Sequence, residues 1–556
     1  MSSTSAAPPG RDAPPRMPDL ERERATFTID VPERFNSVEY VLDRWAEEDP
    51  DAVALVSLDA TGGPVASQSV AELVADSRRA GNALAALGVG PGDRVLVMLP
   101  RVAAWYTALL GAIRIGAVPM PAPSLLTARD IAHRLERGAA RVVVADPAAA
   151  EKVDAGVAPA SLAHRICAAG GATPPAGWLD LDALLSAADP VTAADPTSRA
   201  DPMLLYFTSG TVGPPKMVVL PQAYGLGHIR TARFWQDLRP GDRHWTISDT
   251  GWAKAAYGSL FGQWHERATV VQVALGRPDA DTILDILARN GITSFCAPPT
   301  LYRMLVLADL TAHDLGALRH CTSAGEPLNP EVIRAWREGT GLEVYDGYGQ
   351  TETTIAVANV RALPIRPGSM GKPLPGYDVE VLRDDDSPAA DGEVGSIAIR
   401  AEPRPVGMFD RYDGEPEATA SRFRGGWYHT GDRAARDADG YLWFEGRDDD
   451  VITSSAYRIG PFEVESTLVE HPAVAEAAVV GRDDPQRTQI VCAFVILAPG
   501  AAASDELAAE LQEHCKRETA PYKYPREIHF VDELPKTVSG KIRRVELREW
   551  LREGRF

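Results

Sequence analysis

Apolar and polar positions follow two alternating periods along most of this chain. Residues 69–88 place apolar side chains at helical spacing, at Val70, Leu73, Val74, Leu84 and Leu87. The segment DRVLVML that follows is a short apolar run typical of a buried strand. The alternation continues with a helix, a second helix and a strand at residues 103–116, about 128–138 and 141–146. Such alternation predicts an α/β fold with helices on both faces of wound sheets.

The pattern changes twice further along the chain. The middle third predicts a strand, a helix, a strand and a helix at residues 268–275, 279–291, 292–298 and 300–310. From about residue 370, Gly and Pro become denser and strands dominate, which predicts a small antiparallel unit. After residue 450, helices and strands alternate over about a hundred residues, as in a separate domain. We therefore expect a large domain at 26–449 and a small C-terminal domain at 450–556.

The first residues, MSSTSAAPPGRDAPPRMPD, are rich in Pro, Ala and Ser and contain no continuous apolar core. A secretory signal needs such a core, so none is expected. We predict a disordered tail over residues 1–25.

Composition narrows the function. Hydrophobic residues make up 45% of the 556 positions and charged residues 24%, and no apolar run is long enough to span a bilayer. The net charge of −20 argues against general nucleic-acid binding, which needs a basic face. The five cysteines are scattered without a Cys-x-x-Cys pair, and the 11 histidines lack metal-ligand spacing. We expect small-molecule chemistry in a reducing compartment, a cytoplasmic location, and no His/Cys metal site.

One polar loop stands out between two strand-like runs. In YFTSGTVGPPKMVVL, residues 206–220, hydroxyls, glycines and a lysine lie together: Thr208, Ser209, Gly210, Thr211, Gly213 and Lys216. Backbone amides, hydroxyls and an ammonium group suit a polyphosphate. The loop is not a Walker loop, because two prolines precede the lysine and a strand-like run follows it. From spacing alone, a plain β-hairpin with a polar turn is an equally good interpretation.

Six segments, in this order, resemble the motifs of one enzyme superfamily: YFTSGTVGPPKMV, SAGEPLNPEV, YDGYGQTETT, WYHTGD, GRDDDVITSSAYRIGPFEVE and PKTVSGKIRR. This is the adenylate-forming superfamily of acyl-CoA synthetases, adenylation domains and luciferases. SDTGWAKAAYGSLFGQW and APYKYPREI resemble its medium-chain acyl-CoA synthetase and benzoate-CoA ligase branch. The resemblance covers about residues 35–550.

The resemblance implies both a fold and a reaction. The implied fold is a large N-terminal adenylation domain of two wound α/β sheets and a β-barrel-like subdomain, followed by a small mobile α+β domain. The implied enzyme is an acid-thiol ligase that joins a medium-chain or aromatic carboxylic acid to AMP with ATP and Mg²⁺, then transfers the acyl group to CoA. Small molecules are thus the expected partners, and the sequence does not indicate the oligomeric state.

The resemblance also implies roles for individual residues. ATP would be bound by the loop above and by Asp346, Gly347, Tyr348, Gly349, Gln350, Thr351, Asp432 and Arg447. Tyr348 would face adenine, Asp432 the ribose hydroxyls, and Glu352 would bind Mg²⁺, which prefers oxygen ligands. Lys541 would be catalytic, together with Thr351 and Glu352.

The C-terminal domain of such enzymes rotates between the two half-reactions. The implied hinge is Asp449. Rotation would present the residues implied to bind CoA, which are Ser455, Ala456, Tyr457, Arg458, Arg487, Lys516 and Arg517. The implied acyl pocket contains Trp252, Lys254, Tyr257, Gly325 and Gly349. Lys254 would either extend to water or meet a polar substituent of the acid.

Two positions depart from the family pattern. Val212 replaces a usual Thr or Ser of the phosphate loop, and Ala456 replaces a usual Gly beside the CoA passage. The second departure keeps other acceptors open, namely a carrier protein, an amine, or nitrite activated for diazotisation of an aromatic amine. A non-catalytic nucleotide-binding regulator is a third hypothesis, which the presence of Lys541, Glu352, Asp432 and Arg447 disfavours.

Overall fold

The computed structural model describes residues 9–190, 197–208, 215–276, 279–448, 450–454, 457–519, 522–537 and 541–555, with the main chain alone at positions 453, 457 and 458. None of the helices in this part of the chain combines the length and the apolar character that a bilayer crossing requires.

The strands of the described residues are, in chain order, β1 Val53–Leu58, β2 Pro64–Ser69, β3 Arg94–Met98, β4 Val118–Pro121, β5 Val142–Ala145, β6 His164–Cys167, β7 Leu179–Asp180, β8 Pro202–Thr208, β9 Lys216–Pro221, β10 Arg243–Thr246, β11 Thr269–Val273, β12 Ser294–Ala297, β13 His320–Ala324, β14 Val344–Gln350, β15 Thr354–Ala358, β16 Lys372–Pro373, β17 Val379–Leu382, β18 Val394–Arg400, β19 Arg411–Tyr412, β20 Phe423–Arg424, β21 Trp427–Arg436, β22 Leu442–Arg447, β23 Ile452–Ser454, β24 Tyr457–Ile459, β25 Val474–Asp484, β26 Thr488–Leu497 and β27 Glu527–Phe530.

The α-helices of the described residues are α1 Leu20–Thr26, α2 Arg44–Glu48, α3 Val70–Ala86, α4 Ala103–Arg114, α5 Ala128–Arg137, α6 Pro147–Asp154, α7 Leu181–Ala187, α8 Tyr224–Arg230, α9 Ala253–Ser259, α10 Phe261–His265, α11 Ala280–Arg289, α12 Pro299–Leu305, α13 Pro330–Thr340, α14 Pro416–Arg422, α15 Pro461–Val469, α16 Asp505–Glu518 and α17 Arg544–Glu553. Short π-helical turns lie at Glu39–Asp43 and Thr231–Trp235, and a 3₁₀ turn lies at Leu310–Ala312.

Two wound sheets build most of the large domain. One is a parallel sheet of five strands in the order β4-β3-β5-β6-β7, and the other has nine strands in the order β16-β15-β14-β13-β12-β10-β11-β1-β2. Val95, Leu96 and Val97 of β3 are all fully buried, as expected of a strand with both sheet faces covered. Helix α3 begins at a capping box, in which Ser69 and Glu72 each satisfy the other's backbone N–H.

Antiparallel strands complete the large domain. β17-β18-β21-β20 form a sheet to which β22 adds against β21, and β19-β9-β8 form a smaller sheet. After residue 450, β24-β23-β26-β25 form an antiparallel sheet, and β27 joins β26 in parallel. The prediction of an α/β chain with an antiparallel barrel-like unit and a small α+β domain is confirmed.

The N-terminal tail is a correction. Within residues 9–25, part of the segment predicted to be disordered, Arg11 donates to the carbonyl O of Leu315 at 2.6 Å and Arg16 pairs with Glu266 at 2.5 Å. Met17 and Leu20 are buried in the large domain. These two apolar residues are too few to form a recognisable period, which is why the pattern missed them. Residues 1–8 lie outside the described residues.

The two domains meet where β22 faces helix α15. A side chain at Gly460 would put its first carbon about 2.0 Å from the carbonyl O of Glu445, so the chain segments touch there. Burial raises the pKa of the Glu445 carboxyl to about 7, with the charge of Glu463 adding to the rise and Lys523 opposing it. Lys523 also forms an ion pair with Glu463. The interface therefore favours a protonated Glu445.

Glu445→Gln tests this interface. The folded-state pKa lies above the usual value of 4.5, so the contribution of Glu445 to stability is present at low pH and is lost as pH rises through about 7. We expect the thermal midpoint of the variant to rise relative to wild type between about pH 5 and about pH 8. Glu417→Gln, at an exposed position, is the control, and its thermal midpoint relative to wild type should not change with pH. Parallel midpoint curves for wild type and Glu445→Gln would contradict the assignment.

Candidate active site

The expected nucleotide-binding residues Asp346 to Gln350 form the second half of β14, between β13 and the antiparallel β15. Two glycines in this stretch are required by packing. A first side-chain carbon at Gly347 would lie 2.7 Å from the Trp235 ring, and one at Gly349 would lie 1.9 Å from the carbonyl O of Thr354. Gly349 is therefore explained by the contact with β15, whether or not an acyl group also lies against it.

Asp432 is the most constrained carboxylate of the site. It faces Arg447 across the β21–β22 pair, and its Oδ2 accepts hydrogen bonds from the Tyr348 hydroxyl at 2.7 Å and from Gln350 Nε2 at 2.6 Å. The other oxygen, Oδ1, lies 3.6 Å from Arg447 Nη1. Burial raises the pKa of Asp432, and the positive charge of Arg447 opposes the rise. With Oδ2 occupied, Oδ1 is the oxygen placed to accept a ligand hydroxyl.

Glu352 lies beside a second tyrosine. The Tyr412 hydroxyl donates to Glu352 Oε1 at 2.9 Å, and burial raises the pKa of this carboxyl. Lys216 lies over the ring of the same tyrosine, with Nζ 4.7 Å from the ring centroid. A half-buried carboxylate with one oxygen held by a hydrogen bond suits Mg²⁺, which takes one or two carboxylates together with phosphate oxygens. Thr351 is held by its carbonyl O, which accepts from the Tyr224 hydroxyl at 3.0 Å.

Lys254, on α9, points into the interior instead of extending to water. Its Nζ donates to the carbonyl O of Ala324 at 2.5 Å, and a first side-chain carbon at the neighbouring Gly325 would lie 3.7 Å from that Nζ. Burial lowers the pKa of Lys254, and the charge of Asp346 is among those that oppose this. Gly325 itself is exposed, so the ammonium group lies close to the protein surface.

The two aromatic residues expected in the acyl pocket flank Lys254 along the chain. Trp252 precedes α9, and its indole Nε1 is buried without a hydrogen-bond partner among the described residues. Tyr257 packs against the cluster that contains Cys296 and Ala324. Tyr257 therefore has a packing role in the core, whereas Trp252 retains a donor for a ligand.

Lys541 brings the small domain to the same cleft. Its backbone exchanges hydrogen bonds with Thr537, and its side chain is exposed. Its positive charge opposes the rise in the pKa of Asp432 and adds to the lowering of the pKa of Lys254, two groups of the large domain. The positive charge of Lys541 therefore acts on two predicted site residues of the large domain, Asp432 and Lys254.

Comparison with known proteins gives these groups a context. The family model for the AMP-binding enzyme matches residues 42–412, and the model for the AMP-binding enzyme C-terminal domain matches residues 463–541. The chain is 43% identical to acyl-coenzyme A synthetase ACSM3 of Mus musculus over 550 residues, covering 97% of this chain and 94% of the relative.

The chain belongs to the AMP-binding enzyme family. It is an AMP-forming acid-CoA ligase: it forms an acyl-adenylate from ATP and a carboxylic acid and then transfers the acyl group to CoA. Its cosubstrates are accordingly ATP and CoA, and its metal is Mg²⁺. The relatives favour CoA as acceptor over a carrier protein, an amine or nitrite.

Two solved structures are similar over nearly the whole ligase. One is the anthranilate CoA ligase AuaEII in complex with anthranoyl-AMP, with a TM-score of 0.85 and 32% identity over 94% of this chain and 98% of that one. The other is a benzoate CoA ligase from Burkholderia xenovorans LB400, with a TM-score of 0.82 and 33% identity over 92% of this chain and 100% of that one.

The comparison corrects the expected location. The ACSM3 enzymes of mouse, rat and human are described as mitochondrial, which contradicts the expected cytoplasmic location. The prediction of a cytoplasmic enzyme is therefore wrong. It rested on the scattered cysteines, which report on redox state and not on the compartment.

The other predicted residues among those described lie on the small domain or at the ends of β8 and β9. Arg487 lies in the turn between β25 and β26, Lys516 pairs with Glu513, and Arg517 pairs with Glu518. Tyr457 and Arg458 belong to β24 by their main chain. Thr208 lies opposite Lys216 at the ends of β8 and β9. The remaining predictions fall outside the described residues, namely Ser209, Gly210, Thr211, Val212, Gly213, Asp449, Ser455 and Ala456.

The structure adds residues that the sequence analysis missed. The Tyr428 hydroxyl donates to Gln350 Oε1 at 2.9 Å, which orients the Gln350 amide toward Asp432. A signal was available here, because Tyr428 lies in the same WYHTGD segment as Asp432 and four residues before it, on the same face of a strand. Tyr412 gave no such signal, since it is remote in sequence from Glu352.

Tyr348→Phe tests the hydrogen bonding around Asp432. The variant removes one of the two donors to Oδ2 and leaves a buried carboxylate less satisfied, which costs about 1–3 kcal/mol. We expect AMP binding to weaken about tenfold, measured by calorimetry. Tyr441→Phe is the matched control, because the hydroxyl of Tyr441 donates to the carbonyl O of Pro364 instead. Equal AMP affinities for Tyr348→Phe and wild type would show that Asp432 does not depend on this phenol.

Proposed function

We propose that the ligase activates a medium-chain or aromatic carboxylic acid and that the acid binds in the cleft beside Lys254 and Gly325. The observation that supports this most directly is the inward Lys254 ammonium group, fixed on the carbonyl O of Ala324. A fixed polar group at this depth limits the length of an acyl chain and can meet a polar substituent on an aryl acid. Similarity to an anthranilate and a benzoate ligase favours the same class of substrate.

In the first half-reaction, two anions must approach each other. A carboxylate oxygen attacks the α-phosphorus of ATP, the new C–O–P linkage forms, and the bond to pyrophosphate breaks. Asp432 and Tyr348 would fix the nucleoside. Asp432 Oδ1 would accept from a ribose hydroxyl, because Oδ2 already accepts from Tyr348, and the Tyr348 ring would lie against the base. Mg²⁺ bound at Glu352 would neutralise part of the phosphate charge. Lys216, near the ring of Tyr412, adds a second positive charge at the same end.

Lys541 contributes positive charge at the point where the two anions meet. Its side chain is exposed and its charge acts on both Asp432 and Lys254, so it can contact a carboxylate and an α-phosphate oxygen that lie between them. Oriented charge of this kind stabilises the transition state without rearrangement. In the second half-reaction the CoA sulfur attacks the acyl carbon, a thioester forms, and AMP leaves.

The second half-reaction requires Lys541 to withdraw from the acyl carbon. We assign this to rotation of the C-terminal domain about Asp449, the implied hinge at the boundary between 26–449 and 450–556. Ser455, Ala456, Tyr457 and Arg458 would then approach CoA, and Arg487, Lys516 and Arg517 would approach its nucleotide end. The last three lie on the surface of the small domain, where rotation can expose them to a polyanion.

Lys541→Ala tests the assignment of the catalytic lysine. We expect adenylation to fall by a factor of at least about 10², the cost of losing one group that stabilises developing charge. Thioester formation from supplied acyl-adenylate should remain near wild type, because the lysine has withdrawn by then. Lys536→Ala is the control. Lys536 is close to Lys541 in sequence, but its ammonium group pairs with Glu476 at 2.8 Å. Equal loss of both half-reactions would contradict the role given to Lys541.

A screen of acids tests the proposed substrate class. Hydroxylamine traps the acyl-adenylate as a hydroxamate without any need for CoA. We expect product with benzoic, cinnamic or hexanoic acid and little with palmitic acid. Lys254→Met should change the ratio between substituted and unsubstituted benzoic acids and spare pyrophosphate exchange with the best unsubstituted acid. No hydroxamate from any short acid, with activity on palmitic acid, would overturn the substrate class and leave the family assignment intact.

A further inference from the structure

Three side chains of different chemistry converge on one face of the C-terminal sheet. Cys492 of β26 lies directly opposite Glu527 of β27 in the parallel pair, and His529 follows two residues later on the same face. The ligating atoms of these three residues all lie within 4.8 Å of one another. None of the three takes part in the acid-activating chemistry described above.

The cluster is closed on one side and open on the other. Cys492 is fully buried in the hydrophobic cluster beneath α17, beside Leu547. The side chains of Glu527 and His529 remain 28% and 24% exposed. A ligand could therefore enter from solvent, reach the thiol, and keep one position for water.

The two partly exposed side chains are held in place by their neighbours. Arg482 pairs with Glu527 Oε1 at 2.7 Å, and the other oxygen, Oε2, lies 3.9 Å from His529 Nε2. The His529 ring packs against Phe494, with 5.3 Å between the ring centroids. Arginine thus takes the carboxylate oxygen remote from the histidine and leaves the nearer one for a ligand, which is how neighbouring groups orient metal ligands.

We propose that Cys492, Glu527 and His529 form a site for a thiophilic divalent cation, Zn²⁺ above all, with water as the fourth ligand. A thiolate, an imidazole and a carboxylate are the three ligand types that Zn²⁺ accepts in proteins, whereas Mg²⁺ avoids sulfur and nitrogen. The site is thus chemically distinct from the Mg²⁺ expected at Glu352. The sequence analysis expected no such site, because β26 and β27 are adjacent only in the folded sheet.

Binding must release a proton, because a thiol ligates a metal as its thiolate. The cation therefore displaces the Cys492 thiol proton to solvent as the metal–sulfur bond forms, and binding should strengthen as pH rises.

A bound cation would also stabilise the small domain. It would join β26 to β27, which leads toward the segment of Lys536 and Lys541. Because metal binds the folded site and not the unfolded chain, the thermal midpoint of the full ligase should rise with metal.

Co²⁺ added to the metal-free full-length ligase is the first test. We expect four-coordinate visible bands together with a near-ultraviolet thiolate-to-cobalt band, and their loss when Zn²⁺ is added. X-ray absorption of the Zn²⁺ form should show one sulfur neighbour at about 2.3 Å with nitrogen and oxygen at about 2.0–2.2 Å. No sulfur neighbour in the Zn²⁺ form would overturn the site.

Variants assign the ligands. Cys492→Ser should abolish the thiolate band, whereas Cys515→Ser, at a second buried cysteine of the same domain, should retain it. His529→Gln, at a partly exposed position, tests the site without altering the buried core and should weaken Co²⁺ binding by at least about tenfold. A band that survives in both Cys492→Ser and His529→Gln would show that the metal binds elsewhere. Pyrophosphate exchange should persist in His529→Gln, which separates this proposal from the acid-activating function.

Discussion

Repulsion between two anions is the constraint on which the active site depends. A carboxylate and a triphosphate must come together in a cleft where burial already raises the pKa of Asp346, Asp432 and Glu352. Each of these groups is stabilised by a fixed donor or charge, such as Tyr348 for Asp432 and Tyr412 for Glu352. The cleft therefore needs every positive group that the fold can bring to it.

Those positive groups come from different parts of the chain. Arg447 and Lys254 belong to the large domain, and each is held in place by local contacts. Lys541 is exposed on a segment of the small domain and acts on the cleft from outside. A charge on a separate domain can be withdrawn after the first half-reaction, whereas a charge built into a sheet cannot. In the proposed mechanism, the two half-reactions are separated because Lys541 belongs to a domain that can move away from the acyl carbon.

Sequence patterns predicted most elements of the fold but few of the contacts within the site. The strand predicted at residues 268–275 and the helix predicted at 279–291 match β11 and α11, because burial sets the period of each element. Helix α12 ends earlier, at Leu305, where the apolar pattern predicted a helix to residue 310. Ordered motifs also identified Asp432, Tyr348 and Gln350. Partners such as Tyr412 could not be predicted, since only tertiary packing joins them to Glu352.

Two further features of this chain could not be predicted from sequence, because they too depend on tertiary contacts. Glu445 follows three apolar residues of β22, and the cause of its raised pKa is seen only where β22 faces α15 and Glu463 across the domain boundary. Cys492 reads as an ordinary core residue until β27 places Glu527 beside it. In both cases a side chain that suits local structure acquires its chemistry from a neighbour remote in sequence. The features proposed for this ligase in particular therefore depend on contacts between strands and between domains, which its linear motifs do not show.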